Sequence, residues 1–515
     1  MNDNSKILTN SGILYLKLVV TSIFTLFSSR LLLQALGVSD FGLYSVLGSI
    51  VIMMNIINNV MVITTFRFIT FEIGKINNTA ANQVFNISLI IHIGLALLIV
   101  AVSELIVHFY IPNYLNVPIY KISDAIFVLR FSVLAAVFTI ISIPFQALVI
   151  AYENFLVSAS IEILSSLLKL IAAIILLFYV GNRLRLYSIL ISGTMLVSPI
   201  LFFLYCRKKY SSIVKFSALW DKNKVKEIIS FAGWIIFGTT AHVGKLQGSA
   251  LIINLFFSTI LNAAFGIANQ VNSLVLMFSR GMGQAIIPQI TKSFSSGNHN
   301  RTSQLILYIS KYSFFLMLLP AIPILLGTEY ILHLWLGDVP AYTSTFCRLM
   351  IVNALIDSTT AGIPAAVQAT GKIKNFQIIL GSISLLSLPV AYILFEFGCQ
   401  PHSILTTYIV SSIIIVVVQL FLLKRLLSFD VKTFIIKSYV KIFYVIVIVA
   451  PLYFLRNFFQ RSTLCLIIFS LVSVIWSLIV IFSVGVEKSE KTILISTFRR
   501  IFNRSPKVNT KCVSL

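Results

Sequence analysis

A chain of 515 residues in which 58% of the side chains are apolar and only 11% are charged, with a mean hydropathy of +0.98, is too apolar to fold as an ordinary water-soluble domain. The formal net charge of +23 is high, but its placement along the chain is that of a membrane topology signal that also suits anionic lipid, so nucleic-acid binding is not needed to explain it. Five scattered cysteines without a C-x-x-C pair indicate neither a metal cluster nor a disulfide framework.

Apolar runs of about 20 residues or more, each long enough to cross a hydrocarbon core of about 30 Å as a helix, fall at 11–35, 41–66, 84–109, 123–150, 157–180, 186–206, 229–256, 263–288, 304–327, 341–369, 376–396, 403–423, 434–454 and 463–485. The first is too long for a signal-peptide core and is followed by no small-x-small cleavage site, so it is expected to be retained.

Span 1 places Lys17, Thr21, Thr25 and Ser28 on one helical face and carries Arg30 beyond them; span 2 adds Asn55, Asn58 and Asn59. Pro144 is expected to kink span 4. In span 5, Glu162, Ser166 and Lys169 share a face, as an internally paired acid and base would. Residues 207–228 form the longest connection, and their tail reads as a short amphipathic helix at the membrane surface. Span 7 aligns Gly238, His242, Lys245 and Ser249; span 8 carries Asn262, Asn269, Gln270 and Asn272 before Arg280; span 10 has Asn353, Asp357 and Thr360 before Pro364.

One pattern occurs twice. Phe41-Gly42 and Phe265-Gly266 lie 224 residues apart, and Gly74 and Gly297 lie 223 apart. Glu104-x-x-x-His108-x-Tyr110 returns as Glu329-x-x-x-His333-x-Trp335, Arg130 matches Arg348, Pro144 matches Pro364, and Phe155 matches Phe376. Near-constant spacing marks duplication. The expected architecture is an all-α integral membrane protein of about 14 transmembrane helices: an N-lobe (1–206), a linker (207–228), a C-lobe (229–423), two additional helices (424–485) and a basic tail (486–515). Two six-helix lobes entering the membrane in the same sense form a parallel repeat around a central cavity. The polar faces of spans 1, 2, 7 and 8 are expected to line it.

Loops on the N-terminal side carry 24 Lys and Arg, against five (Lys121, Arg183, Arg185, Arg456, Arg461) on the other side, which places both termini in the cytoplasm. Within the spans, Lys17, Arg30, Lys169 and Lys245 face only Glu162 and Asp357. Each buried cation costs about 2.5–3.5 kcal/mol, so an excess calls for an anionic partner. The candidate substrate-binding residues are Lys17, Arg30, Asn55, Asn59, His242, Lys245 and Asn269, with Asp357 as a coupling group or as a latch that neutralises Lys245 across the lobes. Weighed against this, Arg30 snorkels from its helix end, Arg130 and Arg348 anchor helix ends, and the asparagines bind helix to helix. The six histidines are dispersed, and no H-E-x-x-H or Walker pattern occurs. The chain is therefore expected not to be an enzyme and to need no metal or cofactor.

The string FGIANQVNSLVLMFSRGMGQAIIPQITKSFSSGNHN at Phe265 to Asn300 resembles the lipid II flippases. The opening TNSGILYLKLVVTSIFTLFSSRLLLQALGVSDFGLYSVL, with PAAVQATGKIKNF at Pro364 to Phe376, is similar to the Wzx-type polysaccharide flippases. Both are families of the multidrug, oligosaccharidyl-lipid and polysaccharide flippase superfamily. The resemblance implies a multi-pass protein of the bacterial inner membrane working by alternating access. It would carry a polyprenyl-diphosphate-linked oligosaccharide repeat from the cytoplasmic to the periplasmic leaflet for O-antigen or capsular polysaccharide. Its partners would be that lipid, membrane lipid and other polysaccharide-assembly proteins. Asn269 and Gln270 stand where a charged pair is expected in the lipid II flippases, which argues against lipid II itself. The alternatives are a cation-coupled multidrug exporter of the same superfamily, a lipid II flippase, and a non-transporting membrane scaffold or enzyme of polymer assembly.

Overall fold

In hydrocarbon every backbone N–H and C=O must be satisfied within its own segment, so apolar runs are forced into helices. The computed structural model describes residues 3–114, 119–217, 221–257, 259–427, 429–455, 462–488 and 490–492. Its main helices are α1 Asp3–Gly74, α2 Asn78–Leu105, α3 Ile122–Ala151, α4 Phe155–Phe178, α5 Arg183–Lys209, α6 Lys222–Phe256, α7 Thr259–Ser295, α8 His299–Leu336, α9 Thr343–Ser358, α10 Gly362–Thr370, α11 Lys374–Glu396, α12 Ser403–Leu427, α13 Val440–Val449 and α14 Thr463–Val480.

Among the described residues, eleven helical stretches are long and apolar enough to span a membrane, or twelve when α9 and α10, bent by 45°, are taken as one broken span. The expected spans 41–66 and 229–256 are also helical, in the second part of α1 and in α6. Spans 1 and 2 meet at Gly37, whose φ of 71° suits a residue without a Cβ. One expectation fails. The tail of the linker is no separate surface helix: Asp221 caps the amides of Asn223 and Lys224, and α6 runs unbroken from there into span 7. Pro144 lies inside α3, and in the second repeat a break comes at residues 359–361, before Pro364.

The duplication is realised in matching contacts. Asn77 and Asn298 each accept the amide three residues on, capping α2 and α8. Arg130 donates to Glu104 at 3.0 and 2.8 Å, and Arg348 donates to Glu329 at 3.0 Å, the same ion pair once in each lobe. The ends of the two long hairpins meet each other, with Phe71 beside Phe294 and Gly74 against Lys292 and Ser295.

These meetings lie at one end of the bundle, the end that carries most of the basic loops, and there the lobes are tied together. Tyr15 donates to the carbonyl of Phe278, Arg67 donates to the carbonyls of Gln368 (3.1 Å) and Ala369 (3.2 Å), and Glu153 takes Lys292 at 2.7 Å. A methyl on Gly74 would stand 1.9 Å from Ser295 Oγ and 2.7 Å from the Lys292 Cα. Gly74→Ala is accordingly expected to lower stability by about 1–3 kcal/mol, read as an earlier melting transition in detergent micelles.

α13 and α14 pack on the C-lobe through α8. Below them Lys311, wholly buried in α8, donates to both carboxylate oxygens of Glu490 at 2.8 Å.

Candidate functional site

The two lobes meet along α1 and α7. Along one stripe of α1 stand Ser11, Tyr15, Val19, Ile23 and Phe27, each four residues from the last. Along α7, Met282, Phe278, Leu274 and Gln270 run the opposite way. Ser11 touches Met282 and Tyr15 touches the Phe278 carbonyl, but beyond them Val19, Ile23, Phe27, Leu274 and Gln270 are exposed. The stripes that meet near the basic end thus leave apolar and aromatic side chains uncovered farther along both helices.

Charges sit behind and between these stripes. Lys17 is buried and donates to Glu162 at 2.8 Å, with Ser158 donating to the other carboxylate oxygen at 3.1 Å. Sequence reasoning set Glu162 against Lys169. On one helix those two are about 10 Å apart along the axis, whereas α1 packs along α4 and brings Lys17 within reach. Lys169 is left with no carboxylate partner among the described residues, and its carbonyl accepts from Ser28.

In the C-lobe, Lys245 is buried with its ammonium 3.5 Å from Ser411 Oγ and 3.7 Å above the Tyr408 ring, a cation–π geometry. The Tyr408 hydroxyl donates to the Lys245 carbonyl and lies 2.6 Å from Ser249 Oγ. Asp357 accepts from Asn353 at 3.1 Å and from Ser412, and lies in electrostatic reach of Lys245. α6, α9 and α12 all belong to the C-lobe, so Asp357 and Lys245 influence each other within one lobe and do not bridge the two. The ties between lobes are made instead by Glu153 and Arg67. Asp357 and His242 have protein packed around them yet keep accessible surface. His242 shares its field with Lys245 and Arg280.

Arg30 is exposed and, like Arg280, has no carboxylate partner among the described residues. Asn59 is exposed; Asn269 is half-buried, with its carbonyl accepting from Ser273. The Asn55 side chain lies outside the described residues. Sequence reasoning missed Tyr408, Ser411 and Ser412, whose only signal was a run of polar residues in an otherwise aliphatic span. A separate apolar cavity of about 810 Å³ lies away from the lobe interface, between α8, α9, α12 and α13, walled by Leu318, Leu355, Val417, Ile442 and Val449.

None of the curated proteins searched matches the chain. The MatE family model matches residues 249–393, from the end of α6 into α11. Among solved structures, a MATE protein in a straight conformation superposes with a TM-score of 0.72 at 15% identity, over 83% of this chain and 97% of that one. An outward-facing multidrug resistance MATE family transporter of the MOP superfamily gives 0.71 at 14% identity over 83% and 96%. A MOP superfamily transporter from Pyrococcus furiosus, described as having a binding pocket of reverse polarity, gives 0.69 at 14% over 83% and 96%. The chain is a multi-pass membrane protein with the two-lobed fold of the MATE transporters.

Proposed function

We propose that the protein is an alternating-access transporter whose cleft takes an anionic amphiphile, and that a polyprenyl-diphosphate-linked oligosaccharide is its cargo. One observation carries the reading. Glu162 and Asp357 each have a lysine at hand, while Arg30, Lys169 and Arg280 have no carboxylate partner among the described residues. A diphosphate suits such cations through charge-assisted hydrogen bonds, and apolar walls suit the start of a lipid tail. The basic end is the cytoplasmic one by the positive-inside rule, and the ties between the lobes at that end support a reading in which the substrate path is closed on the cytoplasmic side. An inside-negative potential favours outward passage of an anion by about 2.3 kcal/mol per charge per 100 mV.

A second reading, export of drugs, draws more direct support from the comparisons: the family model that matches is MatE, and one similar structure is a multidrug resistance transporter. The lipid-linked reading rests on charge and on the sequence resemblance. Cationic drugs need an unmatched carboxylate in the cleft, whereas Glu162 is paired with Lys17 and Asp357 lies in the field of Lys245.

The test uses purified full-length protein in vesicles, offered either a fluorescent polyprenyl-diphosphate sugar or a cationic dye. Lys169→Ala and Arg280→Ala are each expected to slow movement of the diphosphate lipid about tenfold or more, the worth of one hydrogen bond to a charged group. Dye efflux with no movement of the diphosphate lipid replaces the first reading by the second.

A further inference from the structure

The duplicated pattern brings Glu153-Asn154-Phe155 into register with Lys374-Asn375-Phe376, 221 residues later, so one loop is acidic where its counterpart is basic. The acidic copy is filled by its own protein: Glu153 holds Lys292, Lys6 and Gln289. The basic copy is not. Lys372, Lys374, Asn375, Phe376, Leu422, Arg425 and Leu426 surround a pocket of about 470 Å³ with three cations and no acid in its wall. Lys374 reaches only the face of Trp234, at 5.3 Å, and no carboxylate pairs with any of the three among the described residues. The first residues of α11 form part of the same wall, and Ile373 at its cap supplies no side-chain acceptor for their amides.

The pocket does not face open water on all sides. Along α12, Val410, Ile414 and Phe421 are exposed at helical spacing, and the next residue of that stripe is Arg425 itself. In a membrane-spanning helix such a stripe faces lipid. A ligand that sets negative charge between Lys372, Lys374 and Arg425 and lays hydrocarbon along α12 satisfies both halves of the surface. We infer that this pocket is a binding site for the head group of an anionic phospholipid in the leaflet at the basic end of the bundle. Basic pockets between helices at a membrane surface are suited to such head groups. The site adjoins the carbonyls of Gln368 and Ala369 that Arg67 grips from the other lobe, so a bound lipid sits one turn from a tie between the lobes. The inference holds whichever solute the cleft carries.

The experiment uses the full-length protein in detergent micelles, titrated with phosphatidylglycerol or with phosphatidylcholine of the same chains, bound lipid being counted by native mass spectrometry. Phosphatidylglycerol is expected to bind and phosphatidylcholine not to. Each of Lys372→Gln, Lys374→Gln and Arg425→Gln is expected to weaken phosphatidylglycerol about fivefold, and the triple variant about a hundredfold. The control Lys208→Gln/Lys209→Gln, which removes exposed cations from the end of α5, should leave it unchanged. An equal loss in that control, or no loss in the triple variant with its melting transition intact, overturns the site. Release of phosphatidylglycerol by inorganic phosphate alone overturns the lipid and leaves a soluble-anion site in its place.

Discussion

Replacing Glu153 by alanine is expected to release the basic end of the bundle and move the protein toward the arrangement in which that end is open. The carboxylate holds Lys292 at 2.7 Å, Lys6 at 3.1 Å and Gln289 at 3.2 Å while itself nearly buried. Hydrogen bonds to charged groups are worth about 1.5–3 kcal/mol, enough to shift a two-state population by about tenfold to a hundredfold. Spin labels at Val19→Cys and Leu274→Cys, in a background with the native cysteines replaced, read the change directly, since both positions stand exposed on the two stripes. Their separation should shrink when Glu153 is removed. An unaltered distance distribution would remove Glu153 from any role in closure.

The same carboxylate sets the pH behaviour of the tie. Burial pushes its proton affinity up, but Lys292 and Lys6 together outweigh this and hold the group below its ordinary value of 4.5. Protons are therefore bound less tightly with the lobes tied than with them apart. The contribution to closure is complete above about pH 4.5 and is lost as the pH falls through the lowered value. The label separation is thus expected to be flat between about pH 6 and 8 and to change only in acid.

Glu490→Ala is expected to be the most destabilising single change. Lys311 has no exposed surface, and Glu490 is its carboxylate partner. Removing one member of a buried pair leaves an uncompensated charge and costs about 3–5 kcal/mol, whereas replacing both by apolar groups of similar volume is often neutral. Thermal unfolding in micelles should show a large early shift for Glu490→Ala, and the double variant Lys311→Met/Glu490→Leu should recover most of it. Equal melting of the single variant and the native protein would show that the segment bearing Glu490 does not anchor on α8.

The duplication was legible because it is written in spacing, and it named Glu104, Arg130, Glu329 and Arg348 as matched positions. That each glutamate pairs with the arginine of its own lobe was not legible, since 26 and 19 residues of chain separate them. Lys17 and Lys245 were picked out as costly buried charges, and both are buried. Spacing along a single helix then suggested the wrong partner for Glu162, Lys169 in place of Lys17, and Asp357 was set across the lobes from Lys245 although both stand in the C-lobe. Glu153 drew no notice at all, because a glutamate in a short polar loop looks like any solvated charge until Lys292 of the other lobe is brought against it.

From the sequence alone came the membrane class, the near-complete set of spans, the two lobes and an excess of cations over acids within the spans. These follow from quantities that neighbouring residues settle among themselves: the length of an apolar run, helical periodicity and the repeat interval. Which carboxylate answers which lysine and where the lobes touch were decided only by helix packing. Such contacts depend on approach between segments more than a hundred residues apart, and no local pattern encodes that distance.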